Sequence, residues 1–145
     1  MEKKKFAILG GDKRNIELAY SLIEDGHQVD MYGFNKLNLF LKENGRLYEA
    51  IINADVIIGP LPFSDDGKTF NAPYFTGEIQ ISEVINILKK KQIFTVGKIS
   101  NQIQDMFKNG GLTIVDYFSR EEMQALNAIP TAEGAIQLAM EELKI

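Results

Sequence analysis

Apolar residues follow two different periods along this chain, and the two periods alternate. Residues 5–10, Lys-Phe-Ala-Ile-Leu-Gly, form a short apolar run that stops at glycine, the pattern of a strand buried on both faces. From 14 to 24 the apolar positions Ile16, Leu18, Ala19, Leu22 and Ile23 recur at helical spacing, so the chain opens with a βα unit. Gly26 stops that helix. Further strands are expected at 28–33, 54–59, 92–97 and 112–117, and further helices at 81–90, 101–108, 120–126 and 131–143. Between the second and third strands lies a less regular segment with Asn44-Gly45 and an apolar patch over 47–52.

Strands alternating with helices imply a parallel sheet covered on both faces and joined by right-handed crossovers. The expected fold is therefore α/β: a three-layer α/β/α sandwich around a mainly parallel five-stranded sheet, flavodoxin-like or Rossmann-like. A chain of 145 residues, 45% of them hydrophobic, has the size and apolar content of a single domain spanning 1–145. The irregular stretch 60–75 leaves the carboxyl end of the third strand, where open α/β sheets bind ligands. A mobile insertion is its plainer explanation, and the two prolines before Phe63 argue against that only near its root.

Four of the five expected strands end in glycine, at Gly10, Gly33, Gly59 and Gly97. Each ending alone is ordinary turn chemistry, but together they outline one rim. At the first turn, Gly10 and Gly11 let backbone N–H groups face an anion at a helix start, yet Asp12 sets a carboxylate where a pyrophosphate would come closest. The turn is a poor dinucleotide fingerprint. Arg14 suits a planar carboxylate, which it can grip through two parallel hydrogen bonds, although a helix cap at Asp12 with a solvent-facing Arg14 explains the same residues structurally. The rim is completed by Phe34, Pro60, Pro62, Lys98, Ser100 and Asn101, and by the turn and helix start at 127–140, where Pro130 suits a first helical turn, Thr131 can cap it and Glu133 sits near its positive end. No paired nucleophile and base is visible, so a hydrolase triad has little support.

Composition narrows the field. A formal charge of −4 and a pI near 5.1 argue against a nucleic-acid footprint. The absence of cysteine removes disulfides, thiolate nucleophiles and sulfur-bound zinc; no metal site is expected, and a reducing cytoplasm fits. The single histidine, His27, reads as a surface turn residue rather than a base. No apolar run approaches a membrane span or a signal peptide, so a cytoplasmic location away from membranes is expected.

Four segments carry a resemblance: I-L-G-G-D-K-R at 8–14, Y-G-F at 32–34, I-I-G-P-L-P-F-S at 57–64 and N-A-I-P-T-A-E-G-A-I at 127–136. In order, and over nearly the whole chain, they resemble the N-terminal domain of the dipicolinate synthase A-subunit family. The last motif is the most specific. The resemblance implies an enzyme of sporulation that oxidises dihydrodipicolinate to dipicolinate with NAD or NADP, in complex with a B subunit. It also implies a following Rossmann domain for the cofactor, absent from these 145 residues, so this substrate-side domain is expected to bind no NAD(P) and to be inactive alone. Within that reading, Gly11, Arg14, Phe34, Pro60, Pro62, Lys98, Ser100, Asn101 and Thr131 are the substrate-binding candidates. Asp12 and Glu133 are the candidates for taking up a proton. The alternatives are a non-catalytic small-molecule-binding module and an assembly domain that contacts the B subunit or forms a homodimer.

Overall fold

The computed structural model describes residues 3–39, 41 and 43–116. In chain order the elements are β1 (Lys5–Leu9), α1 (Lys13–Glu24), β2 (Gln28–Tyr32), α2 (Leu47–Ile51), β3 (Val56–Ile58), α3 (Ile81–Ile87), β4 (Ile93–Val96), α4 (Asn101–Asn109) and β5 (Thr113–Asp116). The five strands form one sheet in the order β2-β1-β3-β4-β5, and every pairing is parallel. This is the flavodoxin-like order, with helices on both faces.

Alternation along the strands divides the core in two. Phe6, Ile8, Val56, Ile58 and Ile93 face one side and pack with Leu18, Ala19 and Leu22 of α1. Ala7, Leu9, Ile57, Phe94 and Val96 face the other and pack with α2, α3 and α4. On that second face Phe63, Phe70, Phe94 and Phe107 form an aromatic cluster, edge to face or tilted, with ring centroids 4.6–6.4 Å apart. Two of these rings come from the stretch 60–75, which is therefore anchored in the core and is not a loose insertion.

Three details depart from the sequence reading. The patch at 47–52 is the short helix α2, too brief to show a helical period. Helix α3 stops at Ile87 rather than 90, because Leu88 turns to extended ψ and the Lys89 N–H donates to the side-chain Oε1 of Gln92 at 2.8 Å. That glutamine is buried, and its Nε2 also donates to the Ile51 and Ala54 carbonyls, joining the α2–β3 turn to β4. The helices expected at 120–126 and 131–143 lie outside the described residues, which end at Asp116 of β5.

His27 is the third departure. It is buried, its Nδ1 accepts the Lys4 N–H at 3.0 Å, and its ring meets Phe6 edge-on at 5.1 Å. Burial, with Lys3 nearby, pushes its pKa below the ordinary histidine value, so the neutral form belongs to the fold. Protonation is thus easier in the unfolded chain: the stabilisation is complete above about pH 6.5 and is lost as the pH falls below it. The expected outcome is a melting temperature that declines between about pH 7.5 and 5.5, with that part of the decline absent in His27→Asn.

Candidate functional site

Because all strands run the same way, their carboxyl ends and the glycines after them share one edge of the sheet. The chain leaves β1 towards β2 on one side, while β3 lies on the other, so the strand order reverses between β1 and β3. A cleft of about 480 Å³ opens there. Gly11 and Asp12 of the β1–α1 turn form one wall, Pro60, Leu61 and Pro62 after β3 another, and Asp65 with Phe70, Asn71, Ala72 and Pro73 closes it.

The double glycine serves this closure. Gly10 has φ +67° and Gly11 φ +112°, and the Gly11 N–H donates to the Asn71 carbonyl at 3.0 Å. A Cβ on Gly10 would stand 2.9 Å from that carbonyl oxygen and 3.3 Å from the Ala72 side chain. The glycines make room for the chain's own loop. Asn71 is tethered on its other side as well: its N–H donates to the Phe63 carbonyl at 2.9 Å and its Nδ2 to the Pro62 carbonyl at 2.6 Å. Farther along, Asn35 and Thr76 exchange two hydrogen bonds and the Lys36 N–H donates to the Tyr74 carbonyl, fixing the loop over the end of β2.

Asp12 caps α1. Its carboxylate accepts the Arg14 N–H at 2.9 Å while Asn15 Oδ1 accepts the Asp12 N–H, a reciprocal cap. Arg14 turns back on the same carboxylate, Nη2 and Nε donating at 3.0–3.3 Å, and Nη2 also reaches the Leu61 carbonyl at 2.9 Å. Partial burial raises the Asp12 carboxyl, but the hydrogen bonds and charge of Arg14 outweigh it and the net shift is downward. The helix cap that the sequence offered as the structural explanation is therefore present at Asp12, and the Arg14 guanidinium lies on that carboxylate.

Other strand-end turns are filled in the same way. Glu43 Oε1 accepts the Phe34 N–H at 2.8 Å, and the Asp116 carboxylate accepts the N–H groups of Lys98 and Ile99 at 3.1 Å each. Lys98 itself is the one described non-glycine residue with positive φ, at 58°. Ser100 caps α4 by accepting the Ile103 N–H at 3.2 Å, and Asn101 begins that helix. In the loop, the Asp66 carboxylate accepts from Lys68, Thr69 and Ser64, and the backbone N–H bonds hold its carboxyl well below the usual range.

The anticipated rim therefore divides. Gly11, Asp12, Pro60 and Pro62 line the cleft, and Arg14 is bonded to two lining residues. Lys98, Ser100 and Asn101 share the sheet edge but not the cleft lining. Phe34 is a correction: its ring is fully buried in the core cluster that packs α1 against the sheet, and it presents no surface to a ligand. Thr131 and Glu133 lie outside the described residues. Leu61, Asp65, Asn71, Ala72 and Pro73 were not singled out by sequence; the proline-bracketed stretch between Pro60 and Pro73 was their only signal.

At the first turn, where a helix start can offer N–H groups to an anion, the N–H groups of Gly11, Asp12 and Arg14 serve the Asn71 carbonyl, Asn15 Oδ1 and the Asp12 carboxylate. Among the described residues no cluster of three or more His, Asp or Glu side chains could hold a metal ion, and no helix is long and apolar enough to cross a membrane.

Comparison with known proteins agrees with this architecture. Residues 5–118 match the family described as the N-terminal domain of the dipicolinate synthase A subunit. The chain belongs to that family. A curated relative, the A subunit of dipicolinate synthase from Bacillus subtilis (strain 168), is 27% identical over 150 residues, covering 94% of this chain and 48% of its own length. The crystal structure of the dipicolinate synthase A subunit from Bacillus halodurans superposes with a TM-score of 0.72 at 25% identity, over 95% of this chain and 48% of that one. The crystal structure of the Bacillus subtilis dipicolinate synthase A chain gives 0.74 at 22% identity, over 97% and 49%, a likeness of fold. This N-terminal domain of the A-subunit family thus spans about half the length of the relatives it matches.

The loop closure yields a direct test. Gly10→Ala forces a side chain into left-handed backbone against the Asn71 carbonyl, and the expected cost is on the order of 2 kcal/mol in unfolding free energy. Limited proteolysis should then cut within 60–75 faster than in the wild type. Unchanged stability and cleavage would show that the loop closes without this contact.

Proposed function

We propose that this chain forms the substrate side of an oxidoreductase that converts dihydrodipicolinate to dipicolinate during sporulation. In this reading NAD or NADP is held by a separate dinucleotide-binding domain, and a B subunit completes the assembly in the cytoplasm. The observation that carries it is family membership over residues 5–118 in a fold whose cleft opens at the strand-order reversal. The resemblance supports placing the cofactor on another domain, as does the occupation of the Gly11, Asp12 and Arg14 N–H groups at the β1–α1 turn by the chain's own acceptors.

The reaction asks two things of this domain: a grip for a small ring bearing two carboxylates, and an acceptor for the proton lost beside the hydride. Arg14 supports the first, since a guanidinium binds a carboxylate through two donors. Asp12 is the described candidate for the second, directly or through a water. While Arg14 holds it, its lowered pKa makes it a weak base. Glu133, in the segment of the specific motif 127–136, is the other candidate for the proton and Thr131 for the substrate.

Calorimetry on the isolated chain separates this reading from a nucleotide-binding module. Pyridine-2,6-dicarboxylate should bind and NAD and NADP should not, with Arg14→Ala weakening the dicarboxylate by roughly 1.5–3 kcal/mol, the worth of a charged hydrogen-bonded contact. Turnover should appear only when a dinucleotide-binding domain is joined to this one. Micromolar cofactor binding, or dipicolinate formation by the chain alone, would overturn the division of labour.

A further inference from the structure

The cleft carries a contradiction if it is to receive carboxylates, for its own charged lining groups are the carboxylates of Asp12 and Asp65. The cation beside it, Arg14, is already bonded to Asp12 and to the Leu61 carbonyl. We propose that Asp12 occupies Arg14 as an internal stand-in for a ligand carboxylate, and that a carboxylate ligand enters the cleft by taking the guanidinium from Asp12. This rests on the reading of the cleft as a carboxylate site and adds how that site is gated.

Three observations support the exchange. Chemically, the occupant is the same group as the ligand: both Asp12 oxygens meet Nε and Nη2 in the geometry that a substrate carboxylate would use. Energetically, the pair is easy to part. The side chains of Arg14 and Asp12 are 47% and 42% exposed, and exposed ion pairs contribute little to stability. Structurally, Asp12 does not depend on the Arg14 guanidinium for its place, because the cap on α1 fixes it through the Arg14 backbone N–H and Asn15.

The Leu61 carbonyl gives Arg14 a second anchor on the opposite wall of the cleft. A guanidinium that keeps this bond while exchanging one carboxylate for another stays beside the cleft throughout. Once released, Asp12 loses the cation that lowers its pKa and remains a cleft-lining carboxylate, its carboxyl moving back up towards the ordinary range. Binding of the ligand's acid group would thereby prepare the one described candidate base.

The exchange predicts an unusual sign. Removing the charge of a residue that lines the cleft should strengthen binding. Asp12→Asn keeps a good helix cap but no longer competes as an anion, so affinity for a carboxylate should rise about two- to fivefold, the worth of an exposed pair. Titration calorimetry with pyridine-2,6-dicarboxylate and with malonate, on the wild type, Asp12→Asn, Arg14→Ala, the double variant and Asp65→Asn, tests it. The gain should vanish in the Arg14→Ala background, and Asp65→Asn should give less than Asp12→Asn.

A gain that persists without Arg14, or is matched by Asp65→Asn, would mean simple relief of repulsion and overturn the exchange. So would equal or weaker binding by Asp12→Asn. If malonate shows the Arg14-dependent gain while pyridine-2,6-dicarboxylate fails to bind, the exchange stands and the proposed substrate falls. If neither probe binds any variant, both fall.

Discussion

The hydrogen bond from the Gly11 N–H to the Asn71 carbonyl joins the first turn of the sheet to the loop that closes the cleft. It forms only because positions 10 and 11 carry no Cβ and take left-handed backbone that other residues rarely adopt. On the loop side, Phe63 and Phe70 sink into the aromatic cluster and leave Asn71 between them and the turn. Asp12, Leu61 and Arg14 inherit their relative positions from this closure. The cleft is thus a product of backbone meeting backbone, and its chemistry is added at the edge.

That edge is acidic in a specific way. Glycine-bearing turns at the ends of parallel strands present N–H groups that attract anions, and in many α/β proteins a phosphate fills them. Here carboxylates of the chain fill them: Asp12 after β1, Glu43 after β2 and Asp116 after β4. The turn after β3 is different, for prolines at 60 and 62 remove two of its donors.

Burial makes the same division at the other end of the sheet. Gln92 and His27, both polar and both buried, satisfy backbone groups where strands begin, Gln92 by bonding the Ile51 and Ala54 carbonyls and His27 by accepting the Lys4 N–H. Neither needs a ligand to explain it. The amino edge of the sheet is a structural seam, and the carboxyl edge is where exposed charge and concavity coincide.

Much of this fold was legible along the chain. Strand and helix alternate with clear periods, and glycine ends the strands, because local sterics and the burial of one helix face leave those marks whatever the final packing. The turn residues Gly11, Asp12 and Arg14 stood out for the same reason, as did the family resemblance carried by contiguous motifs. Contacts between distant segments left no such mark. Nothing in the spacing of residues says that Asn71 meets Gly11, that Phe34 turns into the core, or that Asp12 and Leu61 share one guanidinium, since each depends on how a loop returns across the sheet. Sequence by itself determined the five strands, the longer helices between them, the parallel sense of the sheet and the family; tertiary structure alone decided the order of the strands, which of the strand-end residues face one another and which donors were already taken, because a hydrogen bond across the fold is a property of two places in space.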